Sequence, residues 1–322
     1  MTVSAPVASL AAQSMASSRR LRETVRQTPC IPSRSSEGLF YKCENLQVTG
    51  SFKIRGATNK ISGIAKGTPI ITASSGNHGI ACSHAAKMTG HSLTVVLPES
   101  VAATKRAQIE ALGTKTILVP GDSGQAEREA RRMSETGEAI YVSPYNDHTI
   151  MAGQGTIGIE LLEQMPVIDA VFISMGGGGL IAGIGAAVKA FSPQTRIVGV
   201  SADNSGAFAA SLAAGRIVET EHLDTLADGC AGGVDDDTLT FPIAHEIVDE
   251  VVSCSEDEIA QALCHLAWTE KLLVEGAAAL ALAGYFAVQE TYGDLTSVVI
   301  LCGSNFDTAK MQNVLSQTPS DL

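Results

Sequence analysis

The chain is predicted to be an α/β protein built from two open, twisted, mostly parallel sheets with flanking helices. Short continuous apolar runs alternate with helical segments, and they do so in two separate series along 322 residues. A continuous β-branched run is the mark of a parallel strand covered on both faces. The first series opens on LTVVL at 93–97. A helix over about 104–112 follows and stops at Gly113, a residue suited to a left-handed cap. TILV at 116–119, a helix near 124–136 closed by Gly137, and AIYV at 139–142 complete a small βαβαβ sheet. The second series starts with AVFIS at 170–174, which leads into GGGGL and the helix LIAGIGAAVKAF. IVGV at 197–200, an alanine-rich helix near 272–289 and VVILC at 298–302 continue it.

Composition narrows the function classes. The length exceeds one average domain, so two lobes are expected. Hydrophobic residues make up 45% and charged residues 17%, enough apolar mass for a sizeable core, and the 31 glycines suit close packing of helix on sheet. Net charge is −12, with no basic cluster beyond Arg19-Arg20-Leu21-Arg22 and Arg131-Arg132, so nucleic acid is not an expected partner. No stretch reaches eighteen uninterrupted apolar residues, and no membrane span is expected. Seven cysteines are scattered without CxxC or metal-ligand spacing, which reads as reduced thiols in a cytoplasmic protein. The N-terminal MTVSAPVASLAAQSMASS lacks the regions of a secretory signal; it could pass for a weak transit peptide, but a frayed first helix is expected.

Three runs carry the chemistry: SFKIRGA at 51–57, SSGNHG at 74–79 and GGGGL at 176–180. A lysine that loses its proton in a partly buried site can bond covalently to a carbonyl cofactor. Glycines in a row leave backbone N–H groups free to converge on an anion at a helix start. Both GGGG and CGSN (302–305) fall at strand ends, where open α/β sheets bind ligands. Ile181 stands where the last glycine of a dinucleotide fingerprint would be, so a Rossmann cofactor is disfavoured. A lysine for an aldehyde and a nest for a phosphate are the two handles of pyridoxal 5'-phosphate.

Together the runs resemble the fold-type II pyridoxal-phosphate enzymes, which share the fold of the tryptophan synthase β chain. Within them, NHG after SSG and FKIRGA at the lysine resemble the serine/threonine dehydratase and serine racemase family. The resemblance extends from TPCIPS at 28–33 to LCGSN at 301–305. It implies a large cofactor-binding lobe of residues 1–68 and 146–322, a small inserted lobe of 69–145, and an active site between them. By motif match Lys53 is the cofactor lysine and the base that removes the substrate α-proton. Phe52 supports the ring plane or simply packs in the core, and Asn77 bonds the ring hydroxyl. Ser74, Ser75, Asn77 and His78 hold the substrate carboxylate, His78 through its backbone. Gly176, Gly177, Gly178, Gly179 and Leu180 cradle the phosphate, and Cys302 faces the pyridine nitrogen as a neutral partner. Ser75 is the candidate second acid/base of a racemase.

The chain also departs from the family's pattern. ADGCAGG at 227–233 offers Gly232 and Gly233 where serine-processing relatives tend to carry a hydroxyl. EGA at 275–277 replaces Glu-Pro-Ser/Thr, and DSGQAER at 122–128 lacks the racemases' small-lobe arginine. Ser201 replaces the glutamate of a metal site, so no metal is expected, and DDD at 235–237 reads as a solvated turn. The resemblance therefore implies a cytoplasmic homodimeric lyase that dehydrates a β-hydroxy α-amino acid to a 2-oxo acid and ammonia. Threonine or serine is the default substrate, with hydroxyaspartate or phenylserine close behind. A serine-type racemase and a catalytically silent cofactor-binding protein are the alternatives.

Overall fold

The structure, a computed structural model, describes residues 3–316; the ends assigned to the large lobe, 1–2 and 317–322, lie outside the described residues. The strands are β1 (Cys30–Pro32), β2 (Leu39–Lys42), β3 (Ile70–Ala73), β4 (Leu93–Pro98), β5 (Lys115–Val119), β6 (Ile140–Tyr141), β7 (Ala170–Ser174), β8 (Arg196–Ala202), β9 (Glu250–Cys254) and β10 (Ser297–Ile300). One sheet runs β1-β2-β10-β7-β8-β9 and the other β5-β4-β3-β6. Every pairing is parallel except β1 with β2 at the edge of the larger sheet. Helices interleave with the strands, as the two series predict, and Gly113 and Gly137 have the positive φ expected of them.

Four strands lie outside the predicted series: β1 and β2, which together end one side of the larger sheet, and β3 and β9. IITA of β3 sits directly before SSGNHG and pairs with both β4 and β6, so the smaller sheet is completed by a strand the three-strand reading omits. Val251 on β9 is exposed while its neighbour Val252 is buried, the alternating pattern of an edge strand. The N-terminal segment is also corrected. It forms a regular helix, Ala5–Leu21, whose N-cap Ser4 accepts from the Val7 N–H, and it buries Val7, Leu10, Ser14 and Leu21. This helix is packed rather than frayed.

Its partners explain the glycines. The Ala5–Leu21 helix lies on helices His148–Gln164 and Gly179–Phe191, and a Cβ at Gly155 would stand 2.1 Å from the Ser14 hydroxyl. A Cβ at Gly153 would stand 2.6 Å from the Gly56 Cα, on the helix that begins at Lys53. The glycines thus serve close approach of helix to helix as well as helix to sheet.

Helix Lys53–Ile61 is held from two sides. Ile54, Ala57 and Ile61 join Ile70, Leu93, Val95 and Val142 in one apolar cluster, so the core of the smaller sheet reaches across the proposed lobe division at 68/69. On its other side Arg55 enters a buried ion network. Its Nε and Nη2 donate to Glu44 at 2.7 and 2.8 Å, and its Nη1 and Nη2 donate to Glu160 at 2.5 and 2.8 Å. Lys42 Nζ donates to Glu160 at 2.5 Å, to the Thr28 carbonyl at 2.7 Å and to Gln164 at 3.0 Å. Burial alone would raise the Glu44 carboxyl, but the Arg55 charge and its hydrogen bonds hold it below the ordinary carboxylate value. Two cations meet two carboxylates, so the network is neutral.

Candidate active site

The order β10-β7 in the larger sheet places CGSN and GGGGL at the C-terminal ends of neighbouring strands. The chain before the lysine helix is tied to the first of these ends: the Phe52 N–H donates to the Cys302 carbonyl at 3.0 Å, and Ser51 bridges to Gly303. Lys53 is thereby delivered beside the ends of both strands. Its Nζ donates to the Pro144 carbonyl at 2.8 Å and lies 5.2 Å from the centre of the Phe52 ring. Burial pushes the Lys53 ammonium below its ordinary value, against the raising influence of Cys230, Cys302, Cys82 and Glu275 around it. A lowered lysine is more readily the free amine that a carbonyl needs. Phe52 itself is buried in the main core.

The glycine loop joins β7 to helix Gly179–Phe191. Gly178 has φ +81°, in the left-handed region that turns the chain into the helix. Among the described residues the N–H groups of Gly176, Gly177 and Gly178 have no acceptor, while the Gly177 carbonyl is held at 2.8 Å by the Thr240 hydroxyl. Unengaged donors at a helix start fit the phosphate end of the expected cofactor, and the Lys53 amine fits its aldehyde end. Tyr145 lies against Gly177 and Gly179, and its hydroxyl accepts from the Asp235 N–H at 3.0 Å. Cys230, from ADGCAGG, lies against Gly176.

SSGNHG forms the turn from β3 into helix Asn77–Thr89. Ser74, Ser75 and Asn77 are half-buried, and the Ser75 hydroxyl has no partner among the described residues. The Ser74 hydroxyl accepts from the Gly76 N–H at 3.2 Å. His78 is different. Its side chain is buried, bonds the Val142 carbonyl at 3.0 Å, and is pushed down to about 3 by burial and by the Lys53 charge. The imidazole is a neutral structural group, and only the His78 backbone is offered at the turn.

Sequence reading missed the partners of Asn77. Its Nδ2 donates to Glu275 at 2.8 Å, and its Oδ1 accepts from Asn305 Nδ2 at 2.6 Å. The Asn305 N–H donates to the other Glu275 oxygen at 3.0 Å. Burial pushes the Glu275 carboxyl up to about 7, with the Asn77 and Asn305 hydrogen bonds pulling against it. Cys302 is 3% exposed, its thiol 4.0 Å from Glu275, and burial and that carboxylate raise it well above an ordinary thiol. It is therefore neutral. Both missed residues stand in quoted runs, EGA and CGSN, but nothing in those letters says that they meet Asn77.

Gly232 and Gly233 are exposed, and Gly232 has φ +120°. DDD is not simply a solvated turn. Asp236 and Asp237 are exposed, but Asp235 accepts from Arg131 Nη2 at 2.8 Å and Asn146 Nδ2 at 3.1 Å, joining the loop to helix Ser123–Glu135 of the smaller sheet. Ser201 is buried at the end of β8.

Comparison with known proteins agrees with this geometry. Residues 21–303 match the family model described as pyridoxal-phosphate dependent enzyme. An L-threonine ammonia-lyase of Thermotoga maritima is 37% identical over 282 residues, covering 87% of this chain and 70% of the relative. The serine racemase of Mus musculus is 34% identical, with 90% of each chain covered. Among solved structures, the processed form of threonine deaminase isoform 2 from Solanum lycopersicum superposes with a TM-score of 0.92 at 30% identity, over 98% of this chain and 89% of that one. The matched span holds both sheets, Lys53, the serine–asparagine turn and the glycine loop, and the chain belongs to the pyridoxal-phosphate dependent enzymes.

Proposed function

We propose that the protein removes water from a β-hydroxy α-amino acid, giving a 2-oxo acid and ammonia once the released enamine hydrolyses. The observation that carries this reading is the pairing of a lowered Lys53 amine with an acceptor-free glycine nest at the ends of adjacent strands. Bound pyridoxal phosphate withdraws electrons from the substrate α-carbon and so makes its proton acidic. Lys53 would hold the cofactor's aldehyde and then take that proton, which with the departing β-hydroxyl makes up the water released. Gly176 to Gly179 and Leu180 would hold the phosphate, Phe52 would support the ring, and Asn77 would bond the ring hydroxyl. Cys302, a neutral thiol, would leave the ring nitrogen without an enforced charge, which would favour expulsion of a β-group. The N–H groups opening helix Asn77–Thr89, with Ser74 and Ser75, hold the substrate carboxylate.

Relatives named threonine ammonia-lyase support threonine as substrate. The exposed Gly232 and Gly233 leave no side chain to close on a small serine, which supports hydroxyaspartate or phenylserine as further substrates. A cytoplasmic homodimer belongs to the same proposal. Seven unpaired cysteines support a reducing compartment, and exposed Trp268 and Leu273 support a partner surface.

A second reading, racemisation, is favoured by the unpartnered Ser75 hydroxyl in the turn and by relatives named serine racemase. The test is a screen of β-hydroxy amino acids for 2-oxo acid and ammonia, with chiral analysis of the residual substrate, on the parent and Ser75→Ala. The variant should largely preserve dehydration of an L-substrate, the helix N–H groups still holding the carboxylate, and lose any L-to-D conversion. No 2-oxo acid from any substrate would defeat the lyase reading, and D-isomer formed at the parent rate would place the second acid elsewhere.

A further inference from the structure

We propose that Glu275 and Asn305 form a clamp that fixes the Asn77 amide so that one Nδ2 hydrogen is left for the cofactor ring. The inference rests on the reading of Asn77 as the ligand of the ring hydroxyl. It adds two positioning residues to that reading and assigns each a bond.

An asparagine amide has two donor hydrogens on nitrogen and one acceptor oxygen, and its two orientations differ only through their partners. Here both sides are read. Nδ2 donates one hydrogen to Glu275 Oε1 at 2.8 Å, and Oδ1 accepts from Asn305 Nδ2 at 2.6 Å. Turning the amide over would set its oxygen against a carboxylate and its nitrogen against another amide nitrogen, two repulsive contacts in place of two bonds. Asn305 is itself held. Its second Nδ2 hydrogen goes to the Thr49 carbonyl at 2.8 Å, and its backbone N–H goes to Glu275 Oε2 at 3.0 Å. The three residues, Asn305 through both its side chain and its backbone N–H, thus close a ring of hydrogen bonds with one donor hydrogen of Asn77 unspent.

The placement of Glu275 favours this role over a purely structural one. Glu275 is the N-cap residue of helix Gly276–Ala287, where a side chain ordinarily bonds the first turn, yet it makes no such bond. It turns instead toward Asn77 and is 3% exposed. Its N–H donates to the Gly303 carbonyl at 3.0 Å, and a Cβ at residue 303 would stand 2.5 Å from its Oε1. The strand end that carries Cys302 is therefore shaped to admit this carboxylate. Asn77 follows β3 of the smaller sheet and Asn305 follows β10 of the larger, so the clamp also ties the two sheets together.

The test uses the purified protein loaded with pyridoxal phosphate, reading the visible absorbance maximum of the bound cofactor and its dissociation constant. Asn77→Ala, Glu275→Ala, Glu275→Gln and the Asn77→Ala/Glu275→Ala double variant are compared. Glu275→Ala should move the absorbance maximum in the same direction as Asn77→Ala and weaken cofactor binding about tenfold, the scale of one hydrogen bond to a charged group. The double variant should add less than about twofold to Asn77→Ala, since Glu275 acts through that residue. Glu275→Gln, which keeps size and one acceptor but sets a donor against the Asn305 N–H, should fall between parent and alanine variant. If Glu275→Ala does not fold, the same prediction is read on Glu275→Gln and its double with Asn77→Ala. A parental spectrum and affinity in the Glu275 variants beside a shifted Asn77→Ala would overturn the clamp while leaving the ring contact standing. An unshifted Asn77→Ala would remove the ring contact and the clamp with it, and full additivity would show Glu275 acting by another route.

Discussion

Replacing Glu160 by glutamine tests the ion network that seats the lysine helix. Glu160 accepts three charged hydrogen bonds, two from Arg55 at 2.5 and 2.8 Å and one from Lys42 at 2.5 Å. Glutamine keeps one acceptor and turns the other oxygen into a donor facing a cation. The network then passes from neutral to one uncompensated positive charge, with Lys42 and Arg55 both fully buried. Removing one partner of a buried pair costs about 3–5 kcal/mol, far above the value of an exposed pair. Unfolding entropy near 2.1 cal/mol/K per residue gives about 0.7 kcal/mol/K for a chain of this length, so the melting temperature should fall by about 4–7 °C. Urea unfolding followed by Trp268 fluorescence and by circular dichroism supplies the free energy where the two transitions coincide. Adding Lys42→Met restores neutrality and should recover part of the loss. A Glu160→Gln protein destabilised by less than about 1 kcal/mol would refute the argument, because it would mean that the two cations do not depend on this carboxylate.

Glu275 is pushed from an ordinary value of 4.5 to about 7, so its protonated form favours the fold. That contribution is fully present below about pH 4.5 and lost as pH rises to about 7, worth about 3 kcal/mol in the cofactor-free protein. Melting temperatures of parent and Glu275→Gln across this window should diverge, the parent alone losing stability toward neutral pH; parallel curves would contradict the buried-carboxylate assignment. Glu44 works in the opposite sense, its contribution being present above 4.5 and lost as pH falls through its lowered value. Cys302→Ser should keep the 2-oxo acid activity within about tenfold, since hydroxyl and thiol are both neutral partners, whereas an inactive serine variant would show that Cys302 is misassigned.

Much of the architecture is legible because parallel strands buried on both faces leave continuous apolar runs, as LTVVL, AVFIS and VVILC do. β3 is hidden because its four residues run straight into the SSGNHG turn, and β9 because an edge strand alternates rather than runs. The first helix reads as frayed, yet its small Ser14 allows it to approach Gly155 closely. Motif words locate Lys53, the turn and the nest, since each is contiguous in the chain. The Asn77, Glu275 and Asn305 triangle joins segments some 200 residues apart: Glu275 reaches the end of β10 through its N–H bond to Gly303, and the turn after β3 brings Asn77 to both. His78 shows the converse: a residue inside a motif whose side chain serves the Val142 carbonyl.

The proposed function stands or falls on Lys53 as the residue that binds the cofactor covalently and takes the substrate's α-proton. Its most direct measurement is the visible absorbance of Lys53→Ala after loading with pyridoxal phosphate, read beside 2-oxo acid release from L-threonine. The parent should be yellow and release 2-oxo acid and ammonia. The variant should lose both the visible band and turnover while keeping the parent's far-ultraviolet circular dichroism. A Lys53→Ala protein that retains the band and the activity would contradict the account.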